Sequence, residues 1–181
     1  MIPQLSPELT RIPARNSARA LALAAALAAA AGQAQALSCM QPDPVRTFQD
    51  AHAAPEPWVV LLGRLVYGTP PPIPDPMNLK PGQQPRVAAF PATFSGMGLS
   101  ASGFDRPYSG TIMMQPVCYG PWCGGYPGQA DVLIFARVQA DGSYLLEIDP
   151  CGQSVFGPPS TAVVAALTAC MAGRDCVAQR N

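Results

Sequence analysis

The sequence predicts a mainly β fold: a small, five-stranded, mostly antiparallel barrel with a helix near each end. Two observations carry that expectation. Charged residues are only 12%, while 22 Pro and 16 Gly punctuate the 181 residues, which disfavours long helices and favours short strands joined by fixed turns. About five apolar runs then have strand length and β-branched or aromatic character. That is too few for an immunoglobulin-like sandwich and suits a small closed barrel such as the OB-fold.

Residues 1–36 read as a cleavable export signal. Arg11, Arg15 and Arg19 give a positive start, and Leu21 to Ala31 is an apolar run too short to span a bilayer comfortably. Ala34-Gln35-Ala36 then places small residues where signal peptidase reads. An uncleaved anchor is the other use of such a run. Lipidation at Cys39 fits less well, because Leu37 stands one place from the usual lipobox position. Residues 37–181 are then a single exported domain, periplasmic or extracellular, with no stable membrane insertion after cleavage. Losing residues 1–36 removes three Arg and one Glu, which turns a net charge of zero into −2. Six cysteines remain, an even set expected as bridges in an oxidising compartment.

Along the exported part, Asp43-Pro44 is a helix start, with Asp at N-cap and Pro at N1. Val45, Phe48, Ala51 and His52 follow at helical spacing, so a helix over Val45–Ala54 is expected, ended by Pro55 or Pro57. Trp58 to Tyr67 (WVVLLGRLVY) is the strongest strand signal, and Gly63 inside it points to a bulge or a sharp bend. Thr69 to Pro85 is too dense in proline for a sheet interior or a helix and reads as an exposed, semi-rigid loop. Arg86 to Phe104 has period-two stretches broken by Gly96, Gly98 and Gly103, a bent strand and a turn. Tyr108 to Val117 is the next strand.

Cys118-Tyr-Gly-Pro-Trp-Cys123 is a tight loop of disulfide size. Tyr119, Trp122 and Tyr126 cluster with glycines around it, either covering the end of the barrel or forming an aromatic ledge for a partner. Asp131 to Val138 and Ser143 to Ile148 flank Ala140-Asp141-Gly142, a hairpin signal. Ser160 caps a final helix over Thr161–Met171, with Val164, Leu167 and Met171 as its apolar stripe and Gly173 near its end.

No catalytic set assembles from these residues. His52 is the single histidine, without a carboxylate or histidine at motif spacing. Gly98-Leu-Ser-Ala-Ser-Gly103 lacks the spacing of a nucleophile elbow. Cys-x4-Cys with one histidine is no zinc-ligand set. Glu147 and Asp149 alternate onto one strand face and read as surface charges ahead of a weak cation site. Without a basic groove, a nucleic-acid partner is not expected. The chain therefore reads as a non-enzymatic interaction module with a protein partner and no cofactor or metal.

Cys39-x-x-Pro42-x-Pro44-x-x-x-Phe48, a strand ending Gly63-Arg64-Leu65-Val66, and Cys123-Gly124-Gly125-Tyr126 ahead of Val132–Val138 come in a telling order. The Asp141-Gly142 turn, Tyr144-Leu145-Leu146 and Cys151 complete it. Over residues 37–151 this resembles the N-terminal, netrin-like domain of the tissue inhibitors of metalloproteinases. The resemblance implies an OB-fold barrel and a Cys39–Cys151 bridge, joined in the expected set by Cys118–Cys123 and Cys170–Cys176. In that family the first residue's α-amine and carbonyl chelate a metalloproteinase's zinc, and the second residue's side chain enters its specificity pocket. Cleavage after Ala36 would put Leu37 in the first role and Ser38 in the second, with Cys39 as the family's second cysteine. The resemblance thus implies a zinc metalloproteinase as the alternative partner, inhibited through the Leu37 amine. The sequence departs from the family at Leu37 itself, which replaces a cysteine bridged to the one matching Cys123.

Overall fold

The computed structural model describes residues 37–178, apart from 76, 77, 81, 82 and 84. The export signal expected over residues 1–36 lies outside the described residues. Ten elements follow one another: α1 (Pro44–Ala53), β1 (Trp58–Val66), β2 (Phe90–Ser100), β3 (Gly103–Pro116), β4 (Cys118–Tyr119), β5 (Trp122–Cys123), β6 (Asp131–Val138), β7 (Tyr144–Ile148), β8 (Val155–Phe156) and α2 (Thr161–Met171). The described residues are mainly β, with two helices. They form eight strands, three more than expected, because β4, β5 and β8 are two-residue pairings that no apolar run announces.

The main sheet has six strands in the order β1-β2-β3-β7-β6-β8, and β1 also pairs with β6. Pairing therefore runs from β1 through β2, β3, β7 and β6 back to β1. Every joint in this circuit is antiparallel except β3 with β7, which is parallel over Met113–Pro116. Residues from all five strands, including Leu61, Leu65, Phe94, Ile112, Met114, Ile134 and Leu146, share one buried cluster.

The second cluster lies on the other face of β1 and β6. Val45 and Phe48 of α1 and Leu167 and Cys170 of α2 meet Val60, Leu133 and Phe135 there. This explains why Asp131–Val138 is an almost unbroken apolar run: a strand buried on both faces cannot alternate. It also corrects the stripe expected on α2. The buried residues are Leu167 and Cys170, with Val163 and Ala166 beside them, while Met171 is 45% exposed.

Both helices begin as their caps require. Asp43 Oδ1 accepts from Val45 N at 2.8 Å, with Pro44 in the first turn, and Ser160 Oγ accepts from Val163 N at 3.3 Å. Gly173, at φ +69°, lets the chain leave α2.

Three further expectations are corrected. Gly63 makes no bulge, since β1 stays in register with β2 from Leu61 to Val66; the irregularity falls between Gly98 and Leu99. Gly96 and Gly98 lie inside β2, and β3 starts five residues before Tyr108, so the two strands form one long hairpin. The proline-rich loop is packed in part: Pro70, Pro71 and Pro74 are half-buried, and Pro85 is buried.

Candidate functional site

The opening segment carries the residues singled out from the sequence. Leu37 is half-buried, and Ser38, Cys39 and Met40 are exposed. Cys39 is bridged to Cys151, 112 residues away, with their Cα atoms 5.3 Å apart. The other bridges are Cys118–Cys123 and Cys170–Cys176, which leaves no free cysteine.

Cys151 sits on a turn built by one carboxylate. Asp149 Oδ1 accepts from Cys151 N, and its Oδ2 accepts from Gln153 N, each at 2.8 Å. Ser154 Oγ adds a longer bond to Oδ2 at 3.4 Å. Gly152 in this turn has φ +70°, a conformation that a side chain disfavours. Asp149 is therefore committed to the backbone. Glu147 is also engaged, with its Oε1 3.3 Å from Arg137 Nη2. Each carboxylate of the pair weighed as a weak cation site thus has its own partner. Among the described residues no group of His, Cys, Asp and Glu is placed to hold a metal ion.

Gln153 then fastens the opening segment a second time. Its side chain donates to Met40 O at 3.2 Å, and its carbonyl accepts from Thr47 Oγ1 of α1 at 2.9 Å. Arg46 Nη1 lies 3.5 Å from Met40 Sδ. Beyond the disulfide at Cys39, Met40 is thus held by contacts from α1 and from the turn after β7. Gln153 and Met40 were not singled out from the sequence. The alternation Asp149-x-Cys151-x-Gln153, typical of a side chain capping the turn that follows it, is the signal that was there.

Ser38, Cys39 and Met40 form one side of an open cleft of about 560 Å³, whose lining also includes Tyr119, Glu147, Asp149 and Gln153. Tyr119 lies on the β4–β5 hairpin, opposite Trp122, with Cys118 opposite Cys123. Burial, then the negative charges of Asp149 and Glu147, push the Tyr119 phenol above its usual range, so its hydroxyl stays a donor. The base of this hairpin is fixed without the disulfide: Val117 N donates to Ile148 O, and Gly124 N to Val117 O, each at 2.9 Å.

The three aromatics expected around Cys123 do not act together. Tyr119 and Trp122 are 52% and 38% exposed at the hairpin tip. Tyr126 is turned away and packs edge-on against Phe90 at 5.4 Å. His52 is exposed, stacked on Phe48 at 6.0 Å, and lines a separate groove of about 400 Å³ with apolar walls.

The three bridges fit an oxidising, exported setting, where such bonds persist. No described helix is long and apolar enough to cross a membrane. No family model, curated protein or solved structure matches this chain significantly.

Proposed function

We propose that this protein is an exported, non-enzymatic interaction module of the periplasm or cell exterior, an OB-type barrel that meets a protein partner with its opening segment. The closed pairing circuit with a single parallel joint supports the barrel. The observation that carries the function is the double fastening of the opening segment, at Cys39 and at Met40. A short exposed segment is bridged to Cys151, hydrogen-bonded to Gln153 and set beside exposed Tyr119 in an open cleft. Ordering such a segment beforehand lowers the entropy lost on association, which is useful for recognition and superfluous for the core. The reading is tested by crosslinking from Ser38 in the native compartment, with Asp105 at the far end of β3 as control.

The second reading is metalloproteinase inhibition by the Leu37 α-amine after cleavage at Ala36. The Cys39–Cys151 bridge favours it, because it tethers the chain two residues from that amine. A neutral amine, available near its pKa of about 8, is a zinc ligand. The cleaved protein is assayed against a panel of zinc peptidases. Inhibition should vanish when the amine is acetylated or when one Ala precedes Leu37; inhibition that survives acetylation rules this reading out.

A further inference from the structure

A second surface lies at the other end of β1. That strand runs nine residues from Trp58, which lines the cleft, to Val66, a span of roughly 30 Å at ~3.3 Å per residue. Tyr67, just beyond it, forms an aromatic trio with Phe90 and Tyr126. The Tyr67–Phe90 and Phe90–Tyr126 ring centroids are 5.9 and 5.4 Å apart, both near edge-on, and the two tyrosines are 6.4 Å apart. Each tyrosine hydroxyl donates to a proline carbonyl: Tyr126 to Pro71 O, Tyr67 to Pro127 O. Burial raises both phenols above their usual range, with Tyr67 adding to the effect at Tyr126, so both remain donors.

The segment held by Tyr126 belongs to the run Thr69-Pro-Pro-Pro-Ile-Pro74-Asp. Pro70, Pro71 and Pro74 are half-buried, while Pro72 and Ile73 are exposed. The spacing of Pro71 and Pro74 equals one turn of the polyproline II helix, which has no internal hydrogen bonds and leaves its carbonyls free. Proteins that bind this form use aromatic surfaces, where low ordering entropy favours the preformed helix. Here the rings lie past the end of β1 and at the start of β2, and the Tyr126 hydroxyl meets a carbonyl of the proline run, which is the same chemistry.

We infer that the surface formed by Tyr67, Phe90 and Tyr126 binds a proline-rich peptide in the polyproline II form, and that residues 70–74 occupy it in cis until a partner bearing such a segment takes their place. The strap is tethered to β1 and β2, so it competes at an effective concentration on the order of millimolar. Its occupancy therefore lowers the apparent affinity of the surface for a peptide in trans. This surface is separate from the cleft, and the inference stands whether or not the opening segment meets a partner.

The probe is a synthetic peptide of residues 69–75. It is titrated against the intact chain and against a strap-open variant with Pro70, Pro71, Pro72 and Pro74 replaced by Gly or Ser. A third titration adds Tyr126→Phe to the strap-open variant, and each protein is first checked for cooperative melting. The peptide should bind the strap-open variant at least roughly tenfold more tightly than the intact chain. Tyr126→Phe should weaken that binding about fivefold, the effect of one hydrogen bond. Absence of saturable binding to the folded strap-open variant at millimolar peptide, or binding indifferent to Tyr126→Phe, overturns the inference. Should the strap-open variant fail to fold, the intact chain decides: millimolar peptide must shift the NMR resonances of Pro71 and Tyr126 together, and unmoved resonances overturn it.

Discussion

Gly63 of β1 and Gly96 of β2 are register partners whose backbones touch. A Cβ placed on Gly63 would lie 2.6 Å from Gly96 Cα and closer still to Ser95 O. Both obstacles are main chain in a paired strand, so neither can move aside as a side chain would. Gly63→Ala should therefore destabilise the fold by about 3 kcal/mol, at the upper end for overpacking. Gly125→Ala, where a Cβ meets nothing within 4 Å, is the control and should change little. Denaturant unfolding of both variants checks this; equal midpoints would refute the close approach.

Gln153 joins three parts of the site, so its side chain can be removed with a local effect. Gln153→Ala loses the bond to Met40 O and keeps the one that Thr47 Oγ1 donates to its backbone carbonyl. Stability should fall by about 1 kcal/mol. Hydrogen exchange should quicken in residues 38–42 and stay constant in β6. Uniform quickening across the chain would show that Gln153 supports the whole fold instead of the opening segment.

The three bridges should differ in weight. Cys39–Cys151 closes a loop of 112 residues and Cys118–Cys123 a loop of 5. Restricting the unfolded chain is worth about 5 kcal/mol for the first and about 2 kcal/mol for the second. The hairpin base is also held by Val117 and Gly124 backbone bonds. The paired replacement of Cys39 and Cys151 by Ser should therefore lower the melting temperature far more than that of Cys118 and Cys123, measured by calorimetry. Equal losses would contradict this ranking.

Asp141 supplies a pH dependence of known sign. Its carboxylate accepts from Ser143 Oγ at 2.6 Å and Ser143 N at 2.9 Å, and these bonds, the side-chain one first, hold its pKa below the usual carboxylate value. A depressed folded-state pKa contributes stability that is present above the unfolded value and lost as pH falls through the folded one. Asp141→Asn should thus be less stable than the wild type at neutral pH, and the gap should close as pH drops below 4. A gap that widens on acidification would contradict the assignment.

Much of the fold was legible where local chemistry and tertiary packing agree. Asp43-Pro44 and Ser160 mark helix starts, and Asp141-Gly142 marks a hairpin whose Gly142 does take a positive φ, +81°. What misled was glycine with two meanings. Gly96 and Gly98 read as turn residues, yet Gly96 lies mid-strand because only a missing Cβ admits Gly63. Met171 reads as core because it is apolar, but the stripe rotates onto Cys170, whose partner Cys176 draws the following segment over the same face. At the site, Cys39 was legible as a cysteine needing a partner. The hold of Gln153 on Met40 was not, because it joins residues 113 apart through one side-chain amide.

The most direct test replaces Ser38, singly, with a photoreactive residue in the full chain and irradiates it in the compartment to which the protein is exported. The control carries the same residue at Asp105, an exposed position at the other end of β3. A discrete protein adduct should form from Ser38, be absent from Asp105, and fade when Cys39 and Cys151 are both replaced by Ser in a protein still folded. An identical adduct from both positions, or none from Ser38, would contradict the proposal that the tethered opening segment is the surface with which this protein meets its partner.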